Sequence, residues 1–175
     1  TPARATAGVA VDVTDALTVA GDVTWANWSR FDAGVADLKV LVALDITPPL
    51  VASDTPVAAF EDTVSARLGA EYRHRGARTH WAARGGWAYL PSPVPPQTGI
   101  TSYADGDRML VTAGAGITLA DWAPILTRPI DIDLALQWQH VAHQLTQKDV
   151  AVYPGEAFSS GGDILHAGVT TTVRF

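Results

Sequence analysis

From residue 80 to residue 89 the chain alternates. Trp81, Ala83, Gly85, Trp87 and Tyr89 fall on one side of a period-two pattern, and His80, Ala82, Arg84, Gly86 and Ala88 fall on the other. The rhythm returns over 109–119, where Met109, Val111, Ala113, Ala115, Ile117 and Leu119 alternate with Leu110, Thr112, Gly114, Gly116 and Thr118. Successive side chains of a strand point to opposite faces, so each stretch predicts a strand with one apolar face and one face of polar and small residues. Segments near 3–13, 17–31, 63–74, 130–142 and 164–175 read the same way. In the third of these, Val64, Ala66, Leu68, Ala70 and Tyr72 oppose Ser65, Arg67, Gly69, Glu71 and Arg73. In the fourth, Ile130, Ile132, Leu134, Leu136 and Trp138 oppose Asp131, Asp133, Gln137 and Gln139. A 3.6-residue stripe fits none of them as well, and the predicted class is all-β.

The links between these segments sort by length. Short or moderate ones lie near 14–16, 75–78 and 120–129, and long ones near 32–62, 91–107 and 143–163 collect most of the Pro, Gly and Ser. Outer-membrane barrels alternate in this way, with tight turns at one end and free loops at the other. Leu38–Ile46, beyond the break at Phe31-Asp32-Ala33-Gly34, reads as an extension of the second strand. Around Gly76-Ala77, pairing Arg75 with Arg78 sets Tyr72 opposite Trp81 at the turn end, with Trp87 and Tyr89 at the loop end of the same face. Trp81 and Tyr89 would stand roughly 26 Å apart along the strand, or about 20 Å along a membrane normal at the usual tilt. That matches the apolar band that aromatic girdles flank, and the small residues between the rings do not suit a packed core. Phe175 ends the chain in phase with Val169 and Val173.

Composition narrows the reading further. The 175 residues suit one domain, and 17% charged residues is low against the roughly 25% usual in soluble domains. A net charge of −6 argues against nucleic acid as a partner. With no cysteine there is neither a disulfide framework nor a thiolate metal site. The longest apolar run, near Val40–Leu44, falls far short of the ~18 residues of a transmembrane helix. A membrane reading therefore requires a barrel. The alternative is a soluble β-sandwich binding module, whose solvated face would carry the same polar residues.

Candidate chemistry is sparse. His140 and His143 stand three apart, which on a strand puts them on opposite faces and makes them a weak metal pair. A Ser–His–Asp arrangement has no local motif behind it, so neither an enzyme nor a cofactor is expected. Asp105-Gly106-Asp107 lacks the ligand run and distal Glu of a calcium loop and reads as a polar turn. Arg67, Glu71, Arg73, Arg84, Asp131, Asp133, Gln137, Gln139 and Arg174 all fall opposite the aromatic side. In a barrel these line the lumen, because an Arg facing lipid near the midplane costs roughly 2–4 kcal/mol. An ion pair is expected between Glu71 and Arg84 as diagonal neighbours, and another between Arg174 and Asp131 or Asp133.

"DVTWANWSRF" (22–31), "RLGAEYR" (67–73), "RGGWAYLPSPVP" (84–95), "DGDRMLVTAGAG" (105–116) and the terminal "TTTVRF" together resemble the FadL/TodX family of outer-membrane transporters. Their order and spacing are similar to the C-terminal half of that family. The resemblance implies a bacterial outer-membrane protein with a fourteen-stranded antiparallel barrel and an N-terminal plug. It also implies passive uptake of hydrophobic molecules, either long-chain fatty acids or aromatic hydrocarbons. Capture would be by extracellular loops, followed by passage into the lumen and lateral or periplasmic release. Residues 1–175 would then be a single half-barrel segment of about seven strands. Its edges, near 3–13 and 164–175, would be completed by the remaining half of the barrel, with the plug and first-half strands outside this sequence. Arg67, Glu71, Arg84, Asp133 and Gln137 become lumen-facing candidates for substrate passage. Ser92, Pro93, Pro95, Asp105, Asp107 and Arg108 are the family loop motif, expected to fold the extracellular loop. Implied partners are a hydrophobic small molecule, the lipid bilayer and, through Phe175, the barrel-assembly machinery.

Overall fold

The structure, a computed structural model, describes residues 1–31, 41–42, 50–51, 59–77, 79–96, 103–119, 129–147 and 157–173. These residues form strands β1 (Ala3–Asp12), β2 (Leu17–Asn27), β3 (Leu41–Val42), β4 (Leu50–Val51), β5 (Thr63–Arg75), β6 (Thr79–Leu90), β7 (Arg108–Leu119), β8 (Ile130–Gln147) and β9 (Ala157–Val173). Seven of the strands make one antiparallel sheet in the order β1-β2-β5-β6-β7-β8-β9, and β3 pairs only with β4. Strands adjacent in the sheet follow one another in the chain, apart from the β3–β4 excursion. β1 and β9 are the two edges, so among the described residues the sheet is not closed.

The cross-strand register confirms the faces read from alternation. The row Val9–Gly21–Leu68–Trp87–Val111–Trp138–Leu165 runs across all seven strands on one face. Asp22–Arg67–Ala88–Leu110–Gln139 runs across the other. Among the described residues the apolar face has no second layer. Leu68, Leu134 and Val169 are 59%, 51% and 70% exposed, and Ala26 is the one buried apolar residue among those described. A soluble sandwich needs two layers around a shared core. The described residues offer a single layer, and its open apolar face suits lipid rather than the shared core of a sandwich.

Aromatic rings mark the two margins of that face. Tyr72 and Trp81 pack at the turn end with ring centroids 5.4 Å apart, and His74 stacks on Trp81 at 5.5 Å. Trp25, Trp87, Tyr89 and Trp138 stand exposed toward the loop end. Between the two sets lie Ala70, Ala83, Gly85 and Ala113.

Three expectations are corrected. Tyr72 pairs with Ala83, not Trp81, because the ladder ends at Arg75 with His80. The turn is longer than a tight two-residue loop, with the Gly76 N–H donating to Thr79 O at 3.1 Å. A Cβ on Gly76 would sit 2.7 Å from that oxygen, so the closure requires glycine. A slip of two residues leaves every side chain on its face, which is why the faces survive the error.

The second strand stops at Asn27, not near residue 31. The Trp28 N–H turns back to Ala26 O at 3.1 Å, and the Phe31 N–H reaches Trp28 O at 2.9 Å. Leu41 and Val42 do not extend β2. They pair with Val51 and Leu50 in a separate hairpin, and the rest of 38–46 lies outside the described residues.

The last long link is mostly strand. β8 and β9 continue past Val141–Gly162 and re-pair from Gln144 with Ser160 to Gln147 with Ala157, leaving only 148–156 between them. That is no longer than the 120–129 link, so the strict alternation of short and long fails at this pair. A bulge makes the extension possible. Gly161 and Gly162 adopt φ of 140° and 147°, and a Cβ on Gly161 would lie 2.7 Å from His143 Cα. Only glycine tolerates both the dihedral and the approach. Arg174 and Phe175 lie outside the described residues.

Candidate functional site

The polar face carries a connected run of charges. Arg84 reaches from β6 in both directions, with Nε 2.6 Å from Glu71 Oε2 on β5 and Nη1 3.0 Å from Asp133 Oδ1 on β8. Glu71 also pairs with Arg73, two residues along its own strand. Closer to the loop end, Arg67 Nη1 lies 3.3 Å from Asp22 Oδ1. Glu71 and Arg84 meet as the register now requires, directly opposite rather than diagonal. Asp133 is taken by Arg84; its expected partner Arg174 is not among the described residues.

The contact from Arg84 to Asp133 passes over β7, and glycine makes the opening. Gly114 and Gly116 of β7 lie on the polar face, opposite Arg84 and Ala82 on one side and Ala135 and Asp133 on the other. A Cβ on Gly116 would collide with Asp133 Oδ1 and sit 3.4 Å from Arg84 Nη1. Exposed pairs of this kind couple by about 0.2–1 kcal/mol. A double-mutant cycle of Arg84→Gln and Asp133→Asn is expected to return that coupling in the native background and none with Gly116→Val. Unfolding of the whole barrel in lipid vesicles measures it.

Beside this relay the face is hollowed. Two neighbouring rows cross it, Arg84–Gly114–Ala135–Gly168 and Gly86–Thr112–Gln137–His166. Between Arg84 and the Thr112, Gln137 and His166 side chains, the glycines and Ala135 leave a depression of about 460 Å³. Of the residues singled out from sequence, Arg84 and Gln137 border it. Glu71 and Asp133 hold Arg84 from either side, and Arg67 stands apart near the loop end. His166, Gly114 and Gly168 went unremarked as site residues, although the alternation of His166 and Gly168 with Leu165 and Val169, and of Gly114 with Ala113 and Ala115, was a usable signal.

The loop motif closes into a network at the other end of β6. The Ser92 N–H donates to Asp107 Oδ1 at 2.9 Å, and the Tyr89 hydroxyl donates to Asp107 Oδ2 at 2.5 Å. Ser92 Oγ donates to Asp105 Oδ2 at 3.0 Å, Val94 N–H donates to Ser92 Oγ at 3.1 Å, and Arg108 pairs with Asp105. Pro93 contributes its carbonyl, which accepts from Glu61 N–H at 2.8 Å. Among the described residues no hydrogen bond to Pro95 is seen. Tyr89 thus keeps its ring on the lipid face and its hydroxyl in the polar layer, as an interfacial aromatic does. Asp105 and Asp107 serve the turn, as expected of a polar loop.

Around this network Trp28, Phe31, Phe60 and Tyr103 form a ring cluster with centroid separations of 5.5–6.2 Å. The Ser29 N–H donates to Asp62 Oδ1 at 2.9 Å. That bond, aided by the Ser29 hydroxyl, holds the Asp62 carboxyl below the usual carboxylate range. A recess of about 360 Å³ lies on the polar side, bordered by Trp28, Pro91, Pro93, Arg4, Arg67 and Arg108. His140 is engaged by Asp163, Nδ1 to Oδ1 at 2.8 Å, and stacks on Trp138. No group of three or more metal-ligating side chains gathers among the described residues.

Comparison with known proteins agrees with this architecture. No curated protein matches the chain. The crystal structure of a Pseudomonas aeruginosa FadL homologue is similar over 97% of this chain, with a TM-score of 0.55 and 21% identity. The match covers 34% of that longer protein, so this chain spans about a third of its length. The model of the outer membrane transport protein family (OMPP1/FadL/TodX), a family of transporters and not of enzymes, matches residues 1–175. The antiparallel sheet, its lipid-covered face and this match agree: the chain belongs to the OMPP1/FadL/TodX family of outer-membrane transport proteins.

Proposed function

We propose that this chain forms part of the wall of a barrel through which hydrophobic molecules cross the outer membrane passively. The observation that carries the reading is the division of the single sheet into two faces. One bears aromatic margins and no charge between them, while the other bears Arg67, Glu71, Arg84, Asp133 and Gln137. That polar face is the lumen wall. Its guanidinium groups meet carboxylates, so charge is held there without blocking the glycine-floored space beside it. The recess behind Ser92–Asp107 lies at the loop end and receives ligand first, and the depression beside Arg84 lies further along the same face.

The unpaired edges β1 and β9 are completed by further strands of the same barrel, since unsatisfied backbone groups in hydrocarbon cost several kcal/mol each. A plug and the first half of the barrel occupy the rest of the assembly. Substrates are long-chain fatty acids or aromatic hydrocarbons. Cells lacking the full-length gene are expected to take up labelled oleate or toluene several-fold more slowly than cells carrying it. Equal uptake of both compounds would overturn the proposal.

A further inference from the structure

The depression beside Arg84 has an unusual charge balance. Its floor is Gly114, Ala135 and Gly168, consecutive partners in one cross-strand row. Its rim on the loop side is Thr112, Gln137 and His166, the adjacent row. The one guanidinium at its border, Arg84, is bonded to two carboxylates, Glu71 at 2.6 Å and Asp133 at 3.0 Å. Asp133 draws Nη1 over Gly116 toward the turn end of the face, while Glu71 holds Nε from the β5 side. Arg84 and Arg73 are already matched in charge by Glu71 and Asp133, so an incoming carboxylate adds a negative charge beside two others. Like charges that close repel, and the two guanidinium groups have no charge left to compensate a third carboxylate. An uncharged molecule meets no such cost. It covers the glycine floor with apolar surface and finds the hydrogen-bonding side chains of Thr112, Gln137 and His166 on the rim.

We propose that this depression is a binding station for uncharged hydrophobic molecules, an arene or a neutral ester, and that it discriminates against carboxylates. The inference rests on the uptake reading above and deepens it by naming the ligand class this wall accepts. At about 460 Å³ the space falls in the ordinary range of small-molecule sites. Gly168 is the position at which it can be tested. No atom lies within 4 Å of a Cβ built there, so the stem of Gly168→Leu meets no neighbour and its side chain takes up space in the depression.

The experiment uses the full-length protein in detergent micelles at pH 8 and two fluorescent polyene probes of one skeleton, a long-chain acid and its methyl ester. At that pH the acid is ionised. The native protein is expected to bind the ester, and Gly168→Leu is expected to weaken ester binding at least tenfold while changing acid binding less than twofold. Heat-modifiable migration of the variant establishes that its barrel is formed. Acid binding that falls with Gly168→Leu while ester binding stands would overturn the inference and leave the uptake proposal intact. So would ester binding unchanged by the variant. Binding of neither probe to the native protein would overturn both.

Discussion

Leu134→Arg is expected to destabilise the whole barrel by about 2–4 kcal/mol, measured as reversible unfolding in lipid vesicles. Leu134 lies on the apolar face, half exposed in the isolated sheet, midway along the β8 segment that runs from Ile130 to the marginal Trp138. Its neighbours in the row, Ala115 and Val169, offer no counter-charge. A guanidinium there must stay in hydrocarbon, thin the bilayer around it or bend its stem to an interface, and each response has a cost. Gln139→Arg, on the same strand but the opposite face, is expected to shift stability by no more than about 0.5 kcal/mol, as surface changes commonly do. Equal costs for the two substitutions would mean that the faces have been assigned the wrong way round.

The second large effect belongs to Asp107. Its carboxylate accepts from the Ser92 N–H at 2.9 Å and from the Tyr89 hydroxyl at 2.5 Å, joining the start of the 91–107 link to its end. Asp107→Ala leaves two donors in a partly buried corner without their acceptor. Losing such an acceptor typically costs about 1–3 kcal/mol. The expected readout is a roughly 5- to 150-fold rise in local opening of this link, seen as faster cleavage by a protease added to intact vesicles. Asp105→Ala should do less. The Arg108 side chain it releases is 46% exposed and returns to water. If both variants cut at the native rate, the network does not hold the link.

How much of this was legible from residues alone follows from the period of the strand. Phase has two values, and every apolar residue votes for one of them, so the faces of β5, β6, β7 and β8 could be read directly. Register has many values that differ by two, and none changes which face a side chain takes. The hydrophobic pattern is therefore silent on whether Glu71 meets Arg84 or Ala82. The deciding turn, 76–79, is a matter of backbone closure at Gly76.

Ser159-Ser160-Gly161-Gly162 has the composition of a loop, and it forms strand because two glycines with positive φ absorb a bulge that no propensity scale anticipates. The Arg84–Asp133 pair was out of reach for another reason. It joins strands that are not neighbours, and its enabling feature is an absent side chain at Gly116. The loop motif was visible as a set of residues but not as a network, since which oxygen serves which donor depends on how the link folds back.

The missing second layer sets how the molecule comes to be folded at all. A soluble domain condenses around its own interior and can do so anywhere in solution. Here only Ala26 among the described apolar residues is buried by the protein itself, so the described sheet offers no interior to condense around. Folding and insertion are therefore one event, and it takes place at a membrane surface. A bilayer that covers the apolar face is then as much a part of the folded state as the strand pairing, and its thickness is expected to set how well the face is covered.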